Sequence, residues 1–338
     1  MRDGEGVPHP YPGNARELLR GTGRRGFARH GGGRRQPDRP RARRSSLAKE
    51  AEGCEIIVSD RQTPGPAAFF EKAPEALVAF LRCAVDIRNI DVEAASRRGI
   101  LVTQATPGFA ASVAELAIGF MIDLGRHVPA SVIEYRAGAE ASVHMGRQLR
   151  GSALGIIGYG VIGEYLARLG VALGMNVLAC DPHKAIDEKG VRQASFDEVL
   201  ASADFVVCLV VATEETENLM TAAAFARMKP TAYFLNLSRG NLVDEEALER
   251  ALDEKRIAGA AMDVGRAPDQ KPHLRLAKRR DVIATPHIAG LTPGAIEHQA
   301  FDTVEQVRAL LAGTLPKGSV NAEKATRLLG PRASSPAR

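Results

Sequence analysis

Residues 153–183 read ALGIIGYGVIGEYLARLGVALGMNVLACDPH, and the fold can be read from this stretch. Ala153–Ile157 is a short apolar run of the kind a buried strand requires. It leads into Gly158-x-Gly160-x-x-Gly163 and a helical segment, Val161–Leu173. A second apolar run, NVLACD, follows and closes on Asp181. Strand, glycine turn, helix, strand and acid in this order form the dinucleotide-binding fingerprint. A lone GxGxxG would also suit a turn that merely packs a helix on a sheet; the flanking strands and Asp181 separate the two readings. Gly158 permits the tight turn, Gly160 lets backbone approach a pyrophosphate, and Gly163 lets helix and sheet pack closely. The amides of Val161 and Ile162 lie at the helix N-terminus, where unpaired N–H groups and the helix dipole favour phosphate. Asp181 is placed to accept hydrogen bonds from ribose hydroxyls and to repel a 2′-phosphate, which selects NAD over NADP. His183 and Lys184 stand beside it and oppose that preference.

The same strand–helix rhythm continues outward. ALGIIGYG, NVLACD, DFVVCLVV, AYFLNLS, GAAMDV and DVIATPH are six strand candidates, the content of one doubly wound parallel sheet. Upstream, EIIVSD (55–60) reads as a strand, Pro64–Ala79 as helical, Leu81–Ile87 as extended, Asp91–Gly99 as helical and Ile100–Gln104 as a strand. That alternation predicts a second, smaller α/β domain of flavodoxin-like type. Between the two, Ser112–His127 carries apolar residues at helical spacing, with Ser112 and Glu115 in the capping-box pattern. A last helix is expected over Ile296–Ala312.

Composition bounds the function. Of the 338 residues 45% are hydrophobic and 25% charged, ordinary globular values. The net charge is +5, but residues 1–50 hold twelve Arg and one Lys against five acids, so residues 51–338 carry −3. A nucleic-acid reading would rest on the first fifty residues alone; no nucleic-acid or membrane partner is expected of the body. The four cysteines, Cys54, Cys83, Cys180 and Cys208, form no CxxC pair, so neither zinc nor thioredoxin chemistry is suggested and no metal is expected. Cys180 and Cys208 read as buried thiols of a reducing compartment. No apolar run reaches the ~18 residues of a membrane span, and a cytoplasmic location is the expectation.

Polar residues collect just after three strand candidates, where ligands sit in an open α/β sheet: NLSRG (Asn236–Gly240), AMDVGRAPDQ (Ala261–Gln270) and IATPHIAG (Ile283–Gly290). Together with GYGVIG and Asp181, SVAEL, NIDVEAASRRGILV, KPTAYFLNLSRGNLVDEEALERAL, IAGAAMDV and VIATPHIAG, these segments resemble the D-isomer-specific 2-hydroxyacid dehydrogenases, which include phosphoglycerate dehydrogenase and glyoxylate/hydroxypyruvate reductases. The resemblance covers about residues 54–321. It implies hydride transfer between NAD(H) and a small 2-keto or D-2-hydroxy acid, an active site in the cleft between two domains, and a homodimer held through the helical stretch Ser112–Ala141. Arg239 fits the cation that holds carboxylate and carbonyl, since a planar guanidinium can do both. His287 fits the proton donor. Leu237, Ser238, Asp263 and Gly290 match cofactor contacts of the family. The family's Glu after the "DV" strand is missing from Asp263-Val-Gly-Arg-Ala-Pro-Asp269, and Asp269 is the candidate substitute. An NAD-sensing binding protein with little turnover is the alternative.

Three departures carry expectations of their own. Asp86 stands where the family commonly has a glycine before "NID", and an acid there repels a substrate carboxylate unless paired with Arg88. Val211 replaces a usual proline after the fourth strand. Residues 1–50, rich in Gly, Arg and Pro, are expected to be disordered and to supply no strand. They are expected to replace the first βα unit of the smaller domain, leaving it incomplete, as text read from a wrong frame or start would. The expected division is therefore 1–50 disordered, 51–110 with 300–321 as the substrate domain, 111–299 as the NAD-binding domain, and 322–338 as a loose tail.

Overall fold

The computed structural model describes residues 28–29, 47, 51–267 and 270–328. These fall into two units, one comprising residues up to Pro107 and from Ile296 onward, the other Gly108–Ala295.

The larger unit is built on a parallel sheet. Its strands are β5 (Ala153–Ile157), β6 (Asn176–Cys180), β7 (Val191–Gln193), β8 (Phe205–Cys208), β9 (Tyr233–Asn236), β10 (Gly259–Met262) and β11 (Val282–Ala284). They lie in the order β11-β10-β9-β8-β5-β6-β7. All six strand candidates are present. The seventh, Val191–Gln193, lies at the edge on β6; its three residues VRQ carry no apolar run, so periodicity could not reveal it. The order reverses at β5, which pairs with β6 on one side and β8 on the other. Alternate side chains cover both faces. Ile157, Leu178, Val206, Phe234 and Met262 enter one core, and Ile156, Val177, Val207, Leu235 and Ala261 the other. A parallel sheet buried on both faces requires such continuous apolar strands. Cys180 and Cys208 are buried and unbridged; burial pushes their thiols up to about 11 and about 12.

Ser112 does not cap its helix. The helix runs Ala110–Arg126 with Phe109 at the N-cap, and Ser112 Oγ instead meets Thr292 Oγ1 at 2.6 Å. The capping box fails because the helix starts two residues earlier, which places Ser112 inside the first turn.

The smaller unit has four parallel strands in sequential order, β1 (Ala28–Arg29), β2 (Ile56–Ser59), β3 (Ala79–Arg82) and β4 (Leu101–Gln104). The expectation that residues 1–50 supply no strand is corrected. Ala28 and Arg29 pair in parallel with Ile57 and Val58, so the outer edge of β2 is hydrogen-bonded. The remaining residues of 1–50, apart from Leu47, lie outside the described residues. Ile57, Phe80 and Val102 pack on one face with Phe69, Phe70 and Leu77; Ile56, Leu81 and Leu101 pack on the other with Leu310. The helix read over Pro64–Ala79 is shorter, Ala67–Glu71, because Pro74 cannot continue it. The extended reading of Leu81–Ile87 shifts upstream to β3 for the same reason.

The C-terminal helix, Pro293–Leu311, seats Gln306 against β4. Its Oε1 accepts from Thr103 Oγ1 at 2.7 Å and its Nε2 donates to the Gln104 carbonyl at 2.8 Å. The loose-tail expectation is corrected for residues 322–328. They form two 3₁₀ turns, Ala325 is buried, and Arg327 Nη1 donates to the carbonyls of Pro74 and Leu77 at 2.8 and 2.9 Å. Residues 329–338 lie outside the described residues.

Candidate active site

The glycine turn sits where β5 ends, at the reversal of strand order, which is where open α/β sheets bind ligands. Gly158 has φ +94°, and a Cβ there would lie 2.8 Å from the backbone of Leu209 and Val210. Only glycine suits both the angle and the space. A Cβ on Gly163 would lie 2.4 Å from the Gly158 carbonyl oxygen, so turn and helix touch backbone to backbone. Gly160 is different: a Cβ there meets nothing within 4 Å. The N-cap of the helix Val161–Ala172 is Gly160, without a side-chain cap, and Val161 is half exposed. Open space over uncapped amides suits a pyrophosphate.

Asp181 lies just past β6. Its Oδ2 accepts from the Tyr159 amide at 2.8 Å and its Oδ1 from the His183 amide at 2.9 Å. These bonds fix the carboxylate against the glycine turn and leave acceptor capacity for ribose hydroxyls. The residues present therefore fit a dinucleotide.

The second cluster follows β9, β10 and β11, of which β9 and β11 both flank β10. Asn236, fully buried at the end of β9, donates through Nδ2 to the Arg239 carbonyl at 2.8 Å and accepts from the Ser238 amide at 3.1 Å. Ser238 Oγ donates to the Val210 carbonyl at 2.5 Å. This shapes the turn that carries Leu237, Ser238 and the half-buried Arg239, whose Nη1 donates to the Ser238 carbonyl at 2.7 Å.

Asp263, just past β10, is 1% exposed. Its carboxylate accepts from Thr285 Oγ1 at 2.6 Å, the Ile288 amide at 2.8 Å and the Ala289 amide at 3.0 Å. Its carbonyl accepts from the His287 amide at 2.9 Å. The loop after β11 is thus wrapped around one acid, with His287 held at φ +59°. Asp263, expected as a cofactor contact, also holds the histidine loop through its carboxylate. Gly290 closes that loop, where a Cβ would stand 3.5 Å from Phe109. Asp269 lies outside the described residues.

Sequence reasoning missed Asn236, Thr285, Arg266 and Glu245. Arg266 braces the neighbouring turns. Its Nε donates to the Val243 carbonyl at 2.9 Å, Nη2 to the Asn241 carbonyl at 2.8 Å, and Nη1 pairs with Glu217 at 2.8 Å. Buried Glu245 accepts from the Arg266 amide at 2.8 Å and meets His273 Nδ1 at 2.5 Å. The available signal was polarity at the ends of apolar strands, which picks out Asn236 and Thr285 but not the distant Glu245.

In the smaller unit, Asp86 is paired. Arg88 donates Nε to Oδ1 at 3.0 Å and Nη2 to Oδ2 at 2.7 Å, and this bond raises the Arg88 guanidinium above its ordinary value. Arg82, fully buried at the end of β3, donates Nη2 to the Thr63 carbonyl and Asn89 Oδ1 at 2.7 and 2.8 Å.

Residues 118–289 match the family model described as "D-isomer specific 2-hydroxyacid dehydrogenase, NAD binding domain". A D-3-phosphoglycerate dehydrogenase of Synechocystis is 37% identical over 244 residues, which cover 71% of this chain and 44% of that one. The hydroxypyruvate reductase of Thermotoga maritima is 31% identical over 78% of this chain and 87% of its own. The D-isomer specific 2-hydroxyacid dehydrogenase of Lactobacillus delbrueckii ssp. bulgaricus, solved in its NAD-complexed form, superposes with a TM-score of 0.75 at 25% identity, covering 83% of this chain and 90% of that one. The chain spans about half the length of the phosphoglycerate dehydrogenases that it matches. By its matched domain, its relatives and its fold, this chain belongs to the D-isomer specific 2-hydroxyacid dehydrogenase family.

Proposed function

We propose that the chain is an NAD-dependent dehydrogenase that interconverts a small 2-keto acid and its D-2-hydroxy acid. The observation that carries this reading is the linked set of strand ends. Arg239 and His287 each lie three residues beyond strands that flank β10, and Asp263 just past β10 anchors the His287 loop. A cation and an imidazole carried just past two strands that flank β10 suit reduction of a carbonyl beside a carboxylate. Gly158, Gly160, Gly163, the Val161 and Ile162 amides and Asp181 would hold NAD, with Leu237, Ser238 and Gly290 beside it. When bound, NADH supplies the hydride. Arg239 holds the carboxylate and polarises the keto oxygen, and His287 gives that oxygen its proton. Asp263 acts by positioning His287, and Asp269 is the candidate acid partner of that imidazole.

The larger unit serves as the NAD-binding domain and the smaller as the substrate domain. Pairing of Asp86 with Arg88 leaves the loop before "NID" near neutral, which supports a small 2-keto acid as substrate. A cytoplasmic homodimer is the expected state of the protein.

The test is NADH oxidation with glyoxylate, hydroxypyruvate and pyruvate, run beside Arg239→Ala and His287→Ala. The expected result is turnover with at least one acid, reduced about 10²-fold or more in each variant, the range for a positioned acid–base group. NADH binding without turnover on any of the three acids would replace this reading with that of an NAD sensor.

A further inference from the structure

Lys184 stands three residues after Asp181, in the region where a basic residue of a dinucleotide domain accommodates the 2′-phosphate of NADP. By position alone it would weaken the preference that Asp181 sets. In the structure its ammonium is engaged elsewhere. Nζ is bound to Glu164 Oε1 and lies 5.4 Å from the centre of the Tyr159 ring, within cation–π range. Both partners come from the fingerprint itself: Tyr159 sits between Gly158 and Gly160, and Glu164 is in the first turn of the helix that follows.

Arg168, on the same helix, is also paired. Arg168 Nη2 is 3.9 Å from Glu164 Oε2, and Arg168 Nε is 3.2 Å from Glu188 Oε1. The His183 amide donates to Asp181. Lys184 and Arg168 thus both face carboxylates.

We propose that Glu164 is a specificity-determining residue for the cofactor: by holding Lys184 it withdraws a cation from the 2′-position and leaves Asp181 to exclude NADP. The inference rests on the reading of Gly158–Asp181 as the NAD site. A 2′-phosphate adds close to two negative charges. With the clamp in place it meets Asp181, while Glu164 and Lys184 neutralise each other. Removing the Glu164 charge leaves the Lys184 ammonium without its carboxylate partner and so frees one attractive group. The Glu164 and Lys184 side chains are 29% and 45% exposed, so their pair contributes little to folding, and a variant here tests selectivity rather than stability.

The experiment uses the full chain and titrates NADH and NADPH by the rise in the cofactor's own fluorescence. Glu164→Gln is expected to raise NADPH affinity relative to NADH about ten-fold, the scale of freeing one close charge. The double variant Glu164→Gln/Lys184→Met is expected to return the ratio to that of the wild type. An unmoved ratio in Glu164→Gln, or a gain that survives loss of Lys184, overturns the proposal. If wild type binds NADH and the ratio fails to respond, this inference alone falls. If wild type does not bind NADH at all, the cofactor reading falls with it.

Discussion

Asp263 shows how one residue can carry more of the site than its place in a motif suggests. Its carboxylate satisfies a hydroxyl and two amides of the histidine loop while nearly inaccessible to water. Removing a buried acceptor leaves its donors unsatisfied, a cost of about 1–3 kcal/mol for such a group. Asp263→Ala is therefore expected to lower the stability of the larger unit by about 2 kcal/mol or more. It should also lower turnover beyond what the stability loss explains, because His287 loses the anchor for its loop. Urea unfolding and kcat measured on the same preparation check this; unchanged kcat in folded Asp263→Ala would remove Asp263 from the positioning of His287. Arg239 and His287 were legible in the sequence, since a cation and an imidazole after apolar strands stand out. Thr285 was harder to see, because its work lies in a contact with Asp263, 22 residues away in the chain.

Among the elements, β5 and β8 are joined at their starts by Asp204. Its carboxylate accepts from the Ala153 amide at 2.8 Å and pairs with Arg147 at 2.7 Å and Lys229 at 3.2 Å. Burial alone would raise its pKa, but the Ala153 amide, Lys229 and Arg147 outweigh burial and hold the carboxyl below its ordinary value. A carboxyl with a lowered folded value stabilises fully above its unfolded pKa of about 3.9 and loses that contribution as pH falls through the folded value. Asp204→Asn is thus expected to cost about 1 kcal/mol at pH 7, with the gap to wild type closing below about pH 4. Thermal melts from pH 3 to 7 check it; a gap constant across that range would contradict the assignment. The strands themselves were legible as apolar runs. Val191–Gln193 was not, because an edge strand of three residues is fixed by its neighbour rather than by its own side chains. The helix start at Ala110 was also misplaced, since a cap depends on where the backbone turns.

Taken as a whole molecule, the larger unit has an unusual stretch between its first helix and β5. Val128–Arg136 forms a helix with no buried residue. Ile133 and Tyr135 are each 66% exposed, and Val143 and Met145 are almost fully so. Apolar surface of this kind in one segment marks an interaction surface, which supports the proposed homodimer. Sedimentation equilibrium is expected to give twice the 36.1 kDa chain mass. Ile133→Glu/Tyr135→Glu should shift the species toward monomer without lowering the melting point of the monomer itself. A monomeric wild type would reject the dimer. Among the described residues no single helix is long and apolar enough to cross a membrane.

The sequence by itself determined the class of fold, the glycine turn and the residues that can carry the chemistry. Short apolar strands, glycines and isolated polar residues at strand ends are local signals, set by the backbone's need for buried hydrogen-bonded segments and tight turns. Tertiary structure alone decided which polar groups meet. It wrapped the histidine loop around Asp263, turned Ser112 from a cap into a partner of Thr292, paired Ala28–Arg29 with β2, packed residues 322–328, and tied Lys184 to Glu164. Such contacts join residues from about 20 to 250 positions apart, and no periodicity in a linear text records a distance closed only by folding.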